Sequence, residues 1–203
     1  MLTLAFDTAT ETASAALVRD GEVLGERPSR PVRILAEVEE LLRETDVARD
    51  EIEGLVVGTG PGSYTGLRIG LVTARTLALA LGLDVAGVST LDALAAGAPG
   101  SVPVLDARRG EVFTRRDEPA VLPPRELDVE AGRTYVGDGA VRYRAEIEGR
   151  GGVVPPDGDD VHVPWARHHA RLAAEFGPAE LVQPLYLRVP DAELARREGR
   201  LRV

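Results

Sequence analysis

Apolar and polar positions follow two rhythms along this chain of 203 residues. Leu2-Thr-Leu-Ala-Phe6 is a short apolar run that stops at Asp7. A polar turn spans 8–12, and Ala13 to Val18 is a second apolar run. Asp20-Gly21 is a two-residue hairpin signal, and Glu22 to Glu26 alternates as the return strand. The opening predicts three antiparallel strands with a carboxylate at the end of the first. Pro31 then opens a helix in which Ile34, Leu35, Val38, Leu41 and Leu42 recur at helical spacing. Glu37, Glu40 and Glu44 take its other side. Leu55-Val-Val57 is a short buried strand running into Gly58-Thr-Gly-Pro-Gly-Ser-Tyr-Thr-Gly66. A long helix over about Tyr64 to Leu81 follows, ending at Gly82. Asp84 to Val88 is another strand, and Ser89 or Thr90 caps a short helix through Ala96.

Ala98-Pro-Gly-Ser101 marks a boundary between residues 1–100 and 101–203. Beyond it, Val102 to Leu105 and Glu111 to Thr114 read as strands around the turn Asp106-Ala-Arg-Arg-Gly110. Residues 118–130 are rich in proline and acid and read as loop. Thr134-Tyr-Val136 is a short strand, a helix runs from about Ala140 to Ile147, and Val153-Val154 is a strand within a loop. A further helix begins near Pro164, Leu181 to Val189 is extended, and the end reads as a frayed tail. Strands interleaved with helices in two halves predict an α/β fold with a mixed sheet.

The long helix carries a ridge of small residues, Gly66, Gly70, Ala74, Ala78 and Gly82, at every fourth position. Leucines at 67, 71, 77, 79 and 81 spread over its other faces. A helix apolar nearly all round is buried all round, so one face packs on the sheet. A neighbouring helix or a second molecule covers the other. Arg68 and Arg75 are seven apart and share a face. They are placed to meet the row Glu37, Glu40 and Glu44, in this chain or in a partner's.

Composition narrows the chemistry. There is no cysteine, which excludes disulfides, a thiolate nucleophile and cysteine-based metal sites. All 24 basic residues are arginine, against 33 acids, for a net charge of −9. Without lysine there is no Walker lysine, Schiff base or lysine general base. An acidic chain is a poor stand-alone binder of nucleic acid; the exception is the basic end, Arg196 to Arg202. The first residues carry no basic region and no signal-peptide pattern. The most apolar stretch, Leu67 to Leu83, is interrupted by Arg68 and Arg75. No membrane span is expected, and the cytoplasm is the expected compartment.

The candidate sites are few. Glycine-rich loops at helix N-termini cradle phosphate, but Gly58 to Gly66 matches neither the Walker nor the G-x-G-x-x-G pattern. A structural turn is the favoured reading. His162, His168 and His169 lack the i, i+4 spacing of a zinc pair, and Ser63 is not in a G-x-S-x-G elbow. No catalytic residue and no metal site are assigned. Asp7, with Thr8 and Thr10, is the candidate nucleotide site, because a carboxylate there can hold a magnesium–phosphate complex through water. In the actin/hexokinase-type fold an Asp-x-Gly-x-Thr-like turn does this. Here the turn is Asp7-Thr-Ala-Thr10, and the alternative is an Asp that caps its own turn.

The opening L-A-F-D-T-A-T-E-T-A-S-A-A-L resembles the bacterial TsaB (YeaZ) family. So do Gly60-Pro-Gly-Ser-Tyr-Thr-Gly-Leu-Arg68-Ile-Gly70, Leu105-Asp-Ala-Arg-Arg-Gly-Glu-Val-Phe113 and Tyr186-Leu-Arg-Val-Pro-Asp-Ala192. This family is also described as glycoprotease-like, or peptidase M22-like. The resemblance implies an α/β fold of the actin/hexokinase type (ASKHA), with two ribonuclease-H-like halves, the second reduced. It implies a non-catalytic scaffold subunit in tRNA threonylcarbamoyladenosine synthesis. Its partners would be TsaD, which transfers the threonylcarbamoyl group, and the ATPase TsaE, with tRNA reached through the complex and a homodimer formed when alone. No cofactor is expected on this chain alone; ATP or ADP is expected at the subunit boundary. The partner interface would be Ile34, Leu35, Val38 and Leu42 on the first helix, with Leu67, Arg68, Gly70, Leu71, Ala74, Arg75 and Ala78 on the second. Gly70→Leu or Ala74→Arg is then expected to block pairing and leave the fold intact. The alternative is an actin-fold ATPase or phosphotransferase using Asp7 and the Asp106 turn.

Overall fold

In the computed structural model residues 1–188 are described; the basic end from Arg196 and the last part of the Tyr186–Ala192 motif lie outside them. The first sheet has the order β3-β2-β1-β4-β5. Its strands are β1 (Leu2–Asp7), β2 (Ala13–Arg19), β3 (Glu22–Ser29), β4 (Gly54–Gly60) and β5 (Val85–Ser89). The first three are antiparallel, whereas β4 and β5 run parallel to β1. Asp20 and Gly21 both take positive φ, as the two-residue turn requires.

Alternation along β1 divides the core in two. Leu2, Leu4 and Phe6 face α1 (Ile34–Thr45) and α2 (Tyr64–Leu81), and pack with Ile34, Leu41 and Leu71. Ala5 faces the opposite way with Ala16 and Val56. There it meets Ala166 of α6 (Ala166–Leu172), which the chain reaches last. A single 3-10 turn at Pro31–Arg33 precedes α1, since proline suits the first turn of a helix but α1 itself starts at Ile34. The bounds of α2 coincide with the expected ones. Ser63 caps its start and Gly82, at φ 69°, ends it.

After α3 (Thr90–Gly97) a second sheet has the order β8-β7-β6-β9. It comprises β6 (Val102–Arg108), β7 (Glu111–Arg115), β8 (Pro119–Leu122) and β9 (Tyr135–Val136). Its pairing repeats the first sheet without a fifth strand: three antiparallel strands, then one parallel to the first. No sequence repeat announces this.

Three readings are corrected. The segment 118–130 is not all loop, because Pro119 begins the edge strand β8, where a missing N–H costs no ladder bond. The expected helix over 140–147 is two pieces, α4 (Asp138–Arg142) and α5 (Arg144–Glu148), broken at Tyr143 with φ −108°. The described residues beyond 100 are not all one separate subdomain: α6 covers the first sheet, and Gly177 bridges to Val85 on its outer strand. The apolar face around Ala5 and Ala16 requires that return.

Candidate functional site

The end of β1 is the most constrained point in the molecule. Asp7 is 1% exposed. Its Oδ1 accepts from the Ala9 amide at 2.6 Å, and its Oδ2 accepts from Thr90 Oγ1 at 2.6 Å. His169 Nε2 lies 2.7 Å from Oδ2, an ion-pair contact whose angle falls short of a hydrogen bond. Burial pushes the Asp7 carboxyl up. The charge and close contact of His169, with the hydrogen bonds from Thr90 and Ala9, outweigh it and hold the carboxyl below the usual carboxylate range.

The glycine-rich loop wraps this turn. A Cβ on Gly58 would sit 2.2 Å from Asp7 Oδ2, and one on Gly70 would sit 2.4 Å from Thr8 Oγ1. Thr8 Oγ1 donates to the Gly66 carbonyl at 2.8 Å, and Ser63 N donates to the Ala9 carbonyl at 2.7 Å. The loop amide of Ser63 therefore serves the strand end. Thr10 Oγ1 donates to the Thr12 carbonyl at 2.8 Å.

These contacts correct the nucleotide assignment. Asp7 and Thr8 are sealed inside the fold, with their polar atoms satisfied by protein groups. A magnesium–phosphate complex does not fit at Asp7: both carboxylate oxygens are taken, and β4 lies against them. Thr10 alone of the three borders the cleft between the halves, a space of about 800 Å³ also lined by Gly62, Tyr64, Asp106, Arg108 and Tyr186. Asp106 and Asp138 stand on its second-half wall, where the Asp106 amide donates to Asp138 Oδ1 at 2.9 Å. Burial pushes the Asp138 carboxyl above its ordinary range. The Asp106 amide opposes this rise and the Asp106 charge adds to it. Among the described residues no three His, Asp or Glu side chains converge as metal ligands.

The structure also sorts the expected interface residues. Ile34, Val38 and Leu42 of α1 and Leu67, Gly70, Leu71, Ala74 and Ala78 of α2 are buried in the chain's own core. From Gly66 to Ala78 the small-residue ridge is buried and lets α2 settle on its own sheet, and only Gly82 at its end is exposed. Gly70→Leu and Ala74→Arg therefore strike the fold first. Leu35, Arg68 and Arg75 do face solvent. With them stand Val72, 61% exposed, and Leu79, 88% exposed, neither of which is in the expected interface set. Their spacing from Arg68 by four and eleven was the available signal. The acidic row of α1 is spent within the chain: Glu37 on Arg27 and Arg33, Glu44 on Arg27, and Glu40 on Arg43. Arg68 instead lies over the Tyr64 ring at 4.6 Å, and Arg75 donates to the Val182 carbonyl at 2.9 Å.

Known proteins share this fold. Residues 31–141 match the family described as TsaD: tRNA N6-adenosine threonylcarbamoyltransferase. A Bacillus subtilis protein named tRNA threonylcarbamoyladenosine biosynthesis protein TsaB is 41% identical over 123 residues, 56% of this chain. That match spans about half of the relative's own length, 54%. YeaZ from Pseudomonas aeruginosa superposes with a TM-score of 0.77 at 30% identity, over 92% of this chain and 99% of the other. An activator of 2-hydroxyisocaproyl-CoA dehydratase from Clostridium difficile superposes with a TM-score of 0.51 at 14% identity, covering 100% and 99%. This last likeness concerns the fold alone. The paired mixed sheets and the YeaZ superposition agree with the α/β fold expected of the family. The motifs around Asp7, the Gly60–Gly70 loop and the Asp106 turn thus sit in a shared frame along nearly the whole chain, and the chain belongs to the TsaB (YeaZ) family.

Proposed function

We propose that this chain is a non-catalytic subunit in tRNA threonylcarbamoyladenosine synthesis, working in the cytoplasm beside a TsaD-type transferase. The outer face of α2 carries the reading. The helix sinks its small residues into its own sheet and leaves Val72 and Leu79 bare, with Leu35 of α1 and the cations Arg68 and Arg75 also outside. Exposed apolar side chains in such a stripe mark an interaction surface. The sealed state of Asp7 supports a scaffold rather than a phosphoryl-transfer role. The same face serves a second copy of the chain when the partner is absent. A TsaE-type ATPase joins the pair, tRNA is reached through the complex, and ATP or ADP lodges at the subunit boundary.

Light-scattering mass of the chain, alone and mixed with the TsaD-type protein of the same organism, tests this. A defined heterocomplex is expected, and it is lost in Leu79→Arg and Val72→Arg, which keep the wild-type unfolding midpoint. A chain that ignores the transferase refutes the reading. The cleft and its Asp106 favour one alternative, an ATPase or phosphotransferase, although that reading must do without Asp7. Magnesium-dependent micromolar ATP binding by the isolated chain supports it.

A further inference from the structure

We infer that residues 182–188 form a latch that holds the two halves together across the mouth of the cleft and sets its opening. The segment leaves the first half and ends on the second. On the first half, Arg75 Nη2 donates to the Val182 carbonyl at 2.9 Å, and the Leu185 amide donates to the Thr59 carbonyl at 2.8 Å. The Tyr186 ring lies against Tyr64 with centroids 5.1 Å apart. On the second half, Leu187 packs against the cluster that holds Leu105 and Phe113, which Leu91 of α3 joins from the first half. Arg188 Nη1 donates to the Ala107 carbonyl at 2.6 Å and lies 3.4 Å from Glu111.

Three features make this a latch rather than part of either core. None of residues 182–188 is fully buried, and Tyr186 is 42% exposed. Residues 182–187 have no regular secondary structure, so the segment is held by separate contacts instead of a cooperative ladder. Leu185, Tyr186, Leu187 and Arg188 all line the cleft, so release of the segment changes the cleft directly. A second tie, Arg108 to Glu11, joins the halves from another point on the cleft wall. The latch therefore adds a point of closure to that tie.

The chain has no cysteine, so Asp84→Cys in the first half and Glu118→Cys in the second give a clean pair of spin-label sites. The wild-type latch is expected to give one narrow distance distribution. Arg188→Gln cuts the anchor on the second half and Tyr186→Ala the one on the first. Each is expected to broaden and lengthen the distribution. Each also speeds hydrogen exchange at the Leu185 amide about tenfold, while β1 and β2 keep wild-type protection. An unchanged distribution in both variants overturns the proposal. Loss of protection throughout both sheets also overturns it, because the segment is then part of the global core.

Discussion

Gly70 and Thr8 offer a sharp test of how the glycine-rich loop works. A Cβ on Gly70 meets Thr8 Oγ1 at 2.4 Å, and Thr8 is fully buried and donates to the Gly66 carbonyl. Overpacking at such a site costs about 3 kcal/mol. Replacing glycine by alanine within a helix returns about 1 kcal/mol. Gly70→Ala is therefore expected to lose about 2 kcal/mol. Thr8→Ala loses one buried hydrogen bond and a little packing, about 1.5 kcal/mol. In the double variant the clashing oxygen is gone. The nearest remaining atoms to the new Cβ are Val57 Cγ2 at 3.5 Å and the residue-8 Cβ at 3.7 Å, both ordinary contacts. The helix gain survives, and the double variant is expected to lose only about 0.5 kcal/mol. Additivity would give about 3.5, so the coupling is about 3 kcal/mol. Urea unfolding followed by the single tryptophan, Trp165, measures it, with the m-value held constant. Losses that add to within about 0.5 kcal/mol refute the steric account.

Burial, with Arg167, Arg171 and His169 nearby, pushes the His168 imidazole down from 6.5 to about 4. The unfolded chain takes a proton that the folded chain refuses. Stability from this group is thus complete above pH 6.5 and falls as the pH drops toward 4, by at most about 3 kcal/mol. His168→Gln should flatten that slope in urea titrations between pH 7.5 and 4.5; an unchanged slope excludes the group as its source. Asp7→Asn weakens the contact to His169 and is expected to cost about 2–4 kcal/mol at pH 7. Because the folded carboxyl is held low, its contribution is present above the usual aspartate range and is lost as acid protonates it. The gap between variant and wild type should therefore close in strong acid. Tyr135→Phe leaves the Glu130 amide without its 2.9 Å acceptor and is expected to cost about 1–2 kcal/mol, read from the thermal midpoint.

The legible parts of the sequence were those governed by local rules. The α2 bounds followed from Gly82 at its end and from apolar residues recurring along it, whereas the Ser63 cap was seen only in the structure. The Asp20-Gly21 turn followed from the positive φ that both residues accept. What stayed hidden depended on distant partners. His168 and His169 are adjacent, yet one packs beside Gly97 and the other reaches Asp7, 162 positions earlier. Nothing local in the sequence pairs His169 with a first-strand carboxylate. The small-residue ridge of α2 was readable as a close approach, but its target was not. Residues that let a helix near a neighbour read alike whether the neighbour is its own sheet or another protein. Only the exposure of Val72 and Leu79 separates the two faces.

The late return of α6 bears on how the protein is made. The last strand of the first sheet ends at Ser89, and the helix covering Ala5, Ala16 and Val56 begins at Ala166. At about 5–20 residues per second, the ribosome needs roughly 4–15 s to supply the intervening chain. Throughout that interval the nascent first half can pair all five strands but has no cover for one apolar face. The second sheet emerges during the same wait. Completion of the N-terminal half is therefore timed by the synthesis of the C-terminal half, and premature termination before Ala166 would leave a sticky sheet rather than a working domain.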